Sequence, residues 1–151
     1  MSRRRQVVVD AVRNAAYDVV RTVAERDSYA NLVLPGLLRE RGITGRDAAL
    51  ATELTYGTLR GQGTYDAVLG ACLDRRPEEL DPPVLDVLRL GAHQVLATRI
   101  PPHAAVDTTV DLARARVGEG PATLVNAVMR RLTTRDLAGW IDQIAPAESA
   151  D

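Results

Sequence analysis

The sequence contains no phenylalanine and no lysine, and only one cysteine among its 151 residues. A lone cysteine, Cys72, excludes an internal disulfide framework and every multi-cysteine metal site, so an intracellular, cytoplasmic protein is the simplest expectation. Without phenylalanine the core must be built from Leu, Val and Ala, with Tyr17, Tyr29, Tyr56, Tyr65 and Trp140 available as large fillers. No apolar run approaches the roughly 18 residues needed to span a bilayer, and the N-terminus shows no signal-peptide cleavage pattern. Glycine-rich phosphate loops of either common kind are missing, and serine is too sparse to suggest a nucleophile elbow.

All 19 basic residues are arginine, yet the formal net charge is -1. That balance excludes a surface that coats polyanions everywhere, so any nucleic-acid contact must be local. The opening "MSRRRQ" is the obvious candidate.

Apolar residues return at helical spacing almost throughout. Val8, Val12, Ala16, Val19 and Val23 form one stripe of a first helix. "YANLVLPGLLRER" follows, with Pro35 expected to kink or divide it and Gly42 to end it. In "GRDAALATELTYGTLRGQG", Arg46, Glu53 and Arg60 lie seven apart, a narrow polar line on a helix enclosed elsewhere. A shorter helix should start near Thr64. Asp81 and Pro82 read as the N-cap and first turn of the next, whose Asp86, Arg89 and His93 share one face. Two more helices follow, "PPHAAVDTTVDLARARVG" and the segment holding "TLVNAVMRRL", then a short one around "DLAGWIDQI". With no alternating strand pattern, the expectation is an all-α, compact bundle of about seven helices.

Within "TLVNAVMRRL", Leu124, Val125, Val128, Met129 and Leu132 cluster on one side of a helix, while Asn126 and Arg130 point to the other. Asn126 either ties down a neighbouring helix end or stands with Arg130 on an outer, ligand-facing surface. The first is the commoner fate of an amide beside packed helices. Arg130 and Arg131 suit the negative end of the helix dipole. His93 and His103 lack a third ligand at metal-binding spacing. Cys72, amid "GACL", reads as a small buried hydrophobe, and Glu53 and Asp86 as partners of arginines on their own stripes. On residues alone this is a binding module with no catalytic or metal site.

The collinear stretches "YANLVLPGLLRERGITGRDAALATELTYGTLRGQGTYDAVL", "LDVLRLGAHQVL", "PPHAAVDTTVDLARA" and "LVNAVMRRL" resemble the N-terminal domain of bacterial ribosomal RNA cytosine-C5 methyltransferases, a domain with the NusB fold. The resemblance implies an RNA-binding helical bundle at residues 10–144, a basic arm at 1–9, and at 145–151 the start of a linker toward a methyltransferase domain. That further domain would bind S-adenosylmethionine and supply a catalytic cysteine, while the helical bundle would help the enzyme engage small-subunit ribosomal RNA. Neither its cofactor loop nor its Pro-Cys nucleophile motif occurs here, so the chain is expected to be a non-catalytic part without a cofactor of its own. The resemblance places RNA contacts at Arg3, Arg4, Arg5 and Arg13, with Arg130, Arg131 and Arg135 extending the patch if they lie near the first helix. Asn14 departs from the pattern, since methyltransferase relatives often carry a second arginine there. "DTT" at 107–109 stands where antitermination proteins carry "NEA", which favours the methyltransferase branch over a free-standing antitermination factor or a helical protein-interaction module.

Overall fold

A computed structural model describes residues 9–145, and these form eight α-helices and one 3-10 turn. In chain order they are α1 (Ala11–Arg26), α2 (Ala30–Glu40), α3 (Gly45–Arg60), α4 (Gln62–Cys72), the turn Pro77–Glu79, α5 (Pro82–Ala97), α6 (Pro102–Arg116), α7 (Glu119–Leu132) and α8 (Leu137–Ile144). The all-α expectation holds, and the short C-terminal helix makes the count eight.

Local chemistry sets the boundaries. The Asp10 carboxylate accepts the Arg13 backbone N–H at 2.8 Å to open α1, and Asp136 does the same for Gly139 at 2.8 Å to open α8. Proline stands in the first turn of both α5 and α6, where its missing N–H removes no helical bond. Gly42, at φ 65, lets α2 end in a Schellman turn. Its N–H bonds Arg39 O and that of Ile43 bonds Leu38 O at 2.9 Å, with Ile43 and Leu38 both buried. Pro35 does not divide α2: the helix runs through it, with the proline on the exposed side.

α5 is the axis of the bundle. It packs against α1, α3, α4, α6 and α7, and ten of its 16 residues are buried. Burying side chains such as Leu88 and Leu90 from all sides contributes roughly 1.5–3 kcal/mol each. Tyr17, Tyr65 and Trp140 do fill the interior, and the Trp140 indole N–H donates to Leu132 O at 2.9 Å. Tyr29 does not: it caps the start of α2 with 72% of its surface exposed, because the chain turning out of α1 leaves it no facing element.

Close approach of α3 to α5 requires glycine at position 57. A β-carbon there would overlap the His93 ring, which hydrogen bonds on both sides keep from moving away. Gly57→Ala is therefore expected to destabilise the fold by about 1–3 kcal/mol, the usual cost of overpacking, seen as a lowered urea midpoint at unchanged slope.

Candidate nucleic-acid interface

The residues expected to contact RNA fall on separate elements. Arg3, Arg4 and Arg5 lie outside the described residues. Arg13, in the first turn of α1, is largely enclosed, with 14% of its side chain exposed. Its Nε donates to Gln94 Oε1 at 3.1 Å, and its Nη1 lies 3.4 Å from Asp10. Gln94 is itself buried, its amide N–H bonded to Leu90 O at 3.1 Å, so α5 fixes the direction of the Arg13 fork.

Arg130 and Arg131 sit at the other side of the molecule's axis. α7 packs on α4, α5 and α6, whereas α1 packs on α2, α3, α5 and the edge of α6. α5 thus stands between α1 and α7. Arg131 uses a guanidinium N–H to cap α4, donating to Cys72 O at 2.7 Å. Arg130 is exposed and donates through Nε to Asn126 Oδ1 at 3.2 Å. Asn126 therefore stands with Arg130, and among the described residues it ties down no helix end, contrary to the more usual reading of such an amide. The helix-capping role in this segment belongs to Arg131. Arg135 lies over the Trp140 ring at 5.2 Å, a cation–π contact that holds α8.

The other polar groups resolve into internal networks. Asp86, 2% exposed, accepts from Arg21 of α1 at 2.6 Å and from Arg89 of α5 at 3.1 Å, and Arg89 forks onto both oxygens of Asp66 of α4 at 2.7 Å each. Glu53 does not pair with the arginines of its own helix. Its carboxylate, about half exposed, reaches across to His93 Nε2 of α5 at 3.1 Å, and Tyr65 Oη lies 2.7 Å from His93 Nδ1. The Nε2–H tautomer satisfies both contacts: Tyr65 donates to Nδ1 and the ring donates to Glu53. Burial lowers the His93 pKa from its ordinary 6.5, and the Glu53 carboxylate offsets this only in part. Cys72 is buried as expected, and burial pushes its thiol up to about 11. His103 is exposed at the start of α6.

A cluster that no spacing announces joins α1 to the ends of α2 and α6. Asp18 accepts from Arg41 at 2.6 Å and from Arg116 at 2.7 Å, and Arg116 also donates to Asn14 Oδ1 at 3.1 Å. Partners 98 and 102 residues apart leave no periodic trace in the sequence.

This architecture defines a class. The backbone matches NusB of T. maritima with a TM-score of 0.76 at 18% identity, over 87% of this chain and 94% of that one. It also matches NusB crystallised with NusE and double-stranded RNA, at TM-score 0.72 and 21% identity over 81% and 92% of the two chains. The chain belongs to the NusB family, whose model matches residues 4–134. Its sequence relatives are methyltransferases, and it corresponds to their NusB-like N-terminal region. A Mycobacterium tuberculosis protein provisionally named a methyltransferase is 51% identical over 143 residues, 95% of this chain and 31% of the relative. The ribosomal RNA small subunit methyltransferase B of Thermus thermophilus is 44% identical over 112 residues, 74% of this chain and 27% of the relative. The chain thus spans about a third or less of the length of these relatives.

Two outcomes follow from the geometry. Arg131→Ala should cost about 1 kcal/mol of unfolding free energy by uncapping α4, while Arg130→Ala should stay within about 0.5 kcal/mol of the parent, both read by urea titration. A neutral buried His93 means that the unfolded chain binds the extra proton. Stability is then complete above the ordinary value of 6.5 and falls as pH drops below it. Urea midpoints should be flat from pH 8 to 7 and decline by pH 5.5, with the His93 component of that decline absent in His93→Gln.

Proposed function

We propose that this chain is an RNA-binding, non-catalytic domain of a small-subunit ribosomal RNA cytosine-C5 methyltransferase, and that it docks the enzyme on its RNA. The observation that carries this is the family membership together with the correspondence to the N-terminal region of small subunit methyltransferase B. The body is residues 10–144, and residues 1–9 are a basic arm. Arg3, Arg4 and Arg5 hold phosphates by charge and bidentate bonds, Arg13 adds charge from beside Asp10 and Gln94, exposed Arg130 is a secondary contact and Arg131 is committed mainly to capping α4. The partners are small-subunit ribosomal RNA and a methyltransferase domain of the same protein. S-adenosylmethionine would serve that other domain, and no residue here is assigned to it. A cytoplasmic location fits this role, and no helix among the described residues is long and apolar enough to cross a membrane.

A free-standing antitermination factor is the second reading, favoured by the backbone likeness to NusB in its complex with NusE and RNA. The methyltransferase relatives and the "DTT" run at 107–109 weigh against it. A gene that continues past Asp151 into a methyltransferase domain would decide between them.

Fluorescence anisotropy of a labelled small-subunit ribosomal RNA hairpin, titrated with this chain across salt concentrations, tests the proposal. Binding should weaken steeply with salt, and changing Arg3, Arg4 and Arg5 together to alanine should cut affinity by about tenfold or more at low salt. No binding by the parent at low salt would assign RNA recognition elsewhere.

A further inference from the structure

Several of the described guanidinium groups are spent on carboxylates or a carbonyl: Arg21 and Arg89 meet Asp86, and Arg131 meets Cys72 O. A different arrangement lies on α1, starting beside Arg13. Asn14 and Asp18 are four apart and so share a stripe of the helix, about 6 Å from one to the other along its axis. Onto this stripe come Arg116, the last residue of α6, and Arg41, the residue that ends α2. Arg116 Nη2 takes Asp18 Oδ1 at 2.7 Å, Arg116 Nη1 takes Asn14 Oδ1 at 3.1 Å, and Arg41 Nη2 takes Asp18 Oδ2 at 2.6 Å. The Arg116 guanidinium carbon also stands 4.8 Å from the centre of the buried Tyr17 ring.

Two cations therefore share one anion. Each oxygen of Asp18 is taken by a different arginine, and the pair of guanidinium groups keeps a surplus positive charge at a fixed place. Two like charges held near each other at a surface repel, and a second anion between them would relieve that repulsion. Both arginines remain reachable, with side-chain exposures of 36% for Arg41 and 34% for Arg116. Among the described residues, neither the Nε nor the Nη1 of Arg41, nor the Nε of Arg116, has a partner. Their geometry is already set by Asp18, Asn14 and the Tyr17 ring, so an incoming oxyanion would meet donors whose ordering cost has been met within the fold. Burial pushes the Asp18 carboxyl upward, but the bonds from Arg116 and Arg41 outweigh it and hold the group below the ordinary carboxylate value, so the carboxylate stays charged at neutral pH.

We propose that Arg41 and Arg116, splayed by Asp18 and oriented by Asn14, form a clamp for a phosphate of the RNA backbone on the face of α1 beside Arg13. The proposal rests on the RNA-binding reading and extends it to residues of α2 and α6. It also assigns a role to Asn14. This amide receives an arginine delivered from α6.

The test is anisotropy of the labelled small-subunit ribosomal RNA hairpin across a salt series, with Arg41→Gln, Arg116→Gln and Asp18→Asn in the full chain. Circular dichroism melting confirms that each variant is folded. Each glutamine variant should bind severalfold more weakly, with the slope of log affinity against log salt reduced by about one. Asp18→Asn should bind about threefold more tightly, because removing the internal anion leaves both cations to the phosphate. Parental affinity and slope in both arginine variants, alongside weakened binding by the arm variant, would overturn the clamp and leave the RNA-binding reading standing. So would a folded Asp18→Asn protein that binds no better than the parent. No RNA binding by the parent would overturn both. Should an arginine variant unfold, Asp18→Asn decides alone, provided that its melting curve shows it folded.

Discussion

Enclosing α5 on every side imposes the constraint from which the rest of the bundle follows. A helix packed against five neighbours cannot send its polar side chains to water, yet α5 carries Asp86, Arg89, His93 and Gln94. An unpaired buried charge or amide costs several kcal/mol, so each must find a partner on whichever helix lies opposite. Asp86 meets Arg21 of α1, Arg89 meets Asp66 of α4, His93 meets Glu53 of α3 and Tyr65 of α4, and Gln94 meets Arg13 of α1. Apolar packing alone would tolerate a slip of one helix along another. These polar contacts penalise it, because a slip of one turn would leave a buried group unsatisfied at several places together.

The same constraint shows why part of the architecture was legible in the sequence and part was not. Caps, first-turn prolines and the stop at Gly42 are local events, and Pro82 and Gly42 act where their residue types suggest, whereas Asp81 holds the N-cap position of α5 without a side-chain cap bond. The enclosure of α5 was legible too, since one narrow polar stripe on an otherwise apolar helix has few other meanings. Partner identity was not. A stripe shows that Glu53 lies on a polar face, but its contact His93 lies 40 residues away and depends on the crossing of α3 over α5, which spacing does not encode. Tyr29 misled for a related reason: in a chain without phenylalanine every tyrosine is a candidate filler of the core, and Tyr29, ahead of α2, is left facing solvent.

Arginine use follows from this accounting. A chain with 19 arginines and 20 acidic residues has enough carboxylates to neutralise every cation, and the fold brings many of them into contact. Arg21 and Arg89 spend their charge on Asp86 and Asp66, Arg114 on Asp111 and Glu119, and Arg76 on Glu78 and Glu79. Arg131 gives a donor to the α4 carbonyl end. A basic residue is therefore a poor guide to an anion site here unless its placement shows that the charge is left over.

This bears on how far a residue-by-residue match to the family pattern can be trusted. Asn14 looks like a loss of positive charge when α1 is read by itself. In the folded chain, Arg116 occupies that stripe from α6, bonded to the very asparagine that marks the departure. Electrostatic potential belongs to a surface and not to a position in a helix, so a guanidinium supplied by another element can stand in for the expected one. The substitution costs little order, since Asp18 and the Tyr17 ring fix Arg116 where a long side chain on α1 would have to be immobilised by the ligand itself. An arginine delivered across the bundle is in this sense better prepared to meet a phosphate than one rooted at position 14.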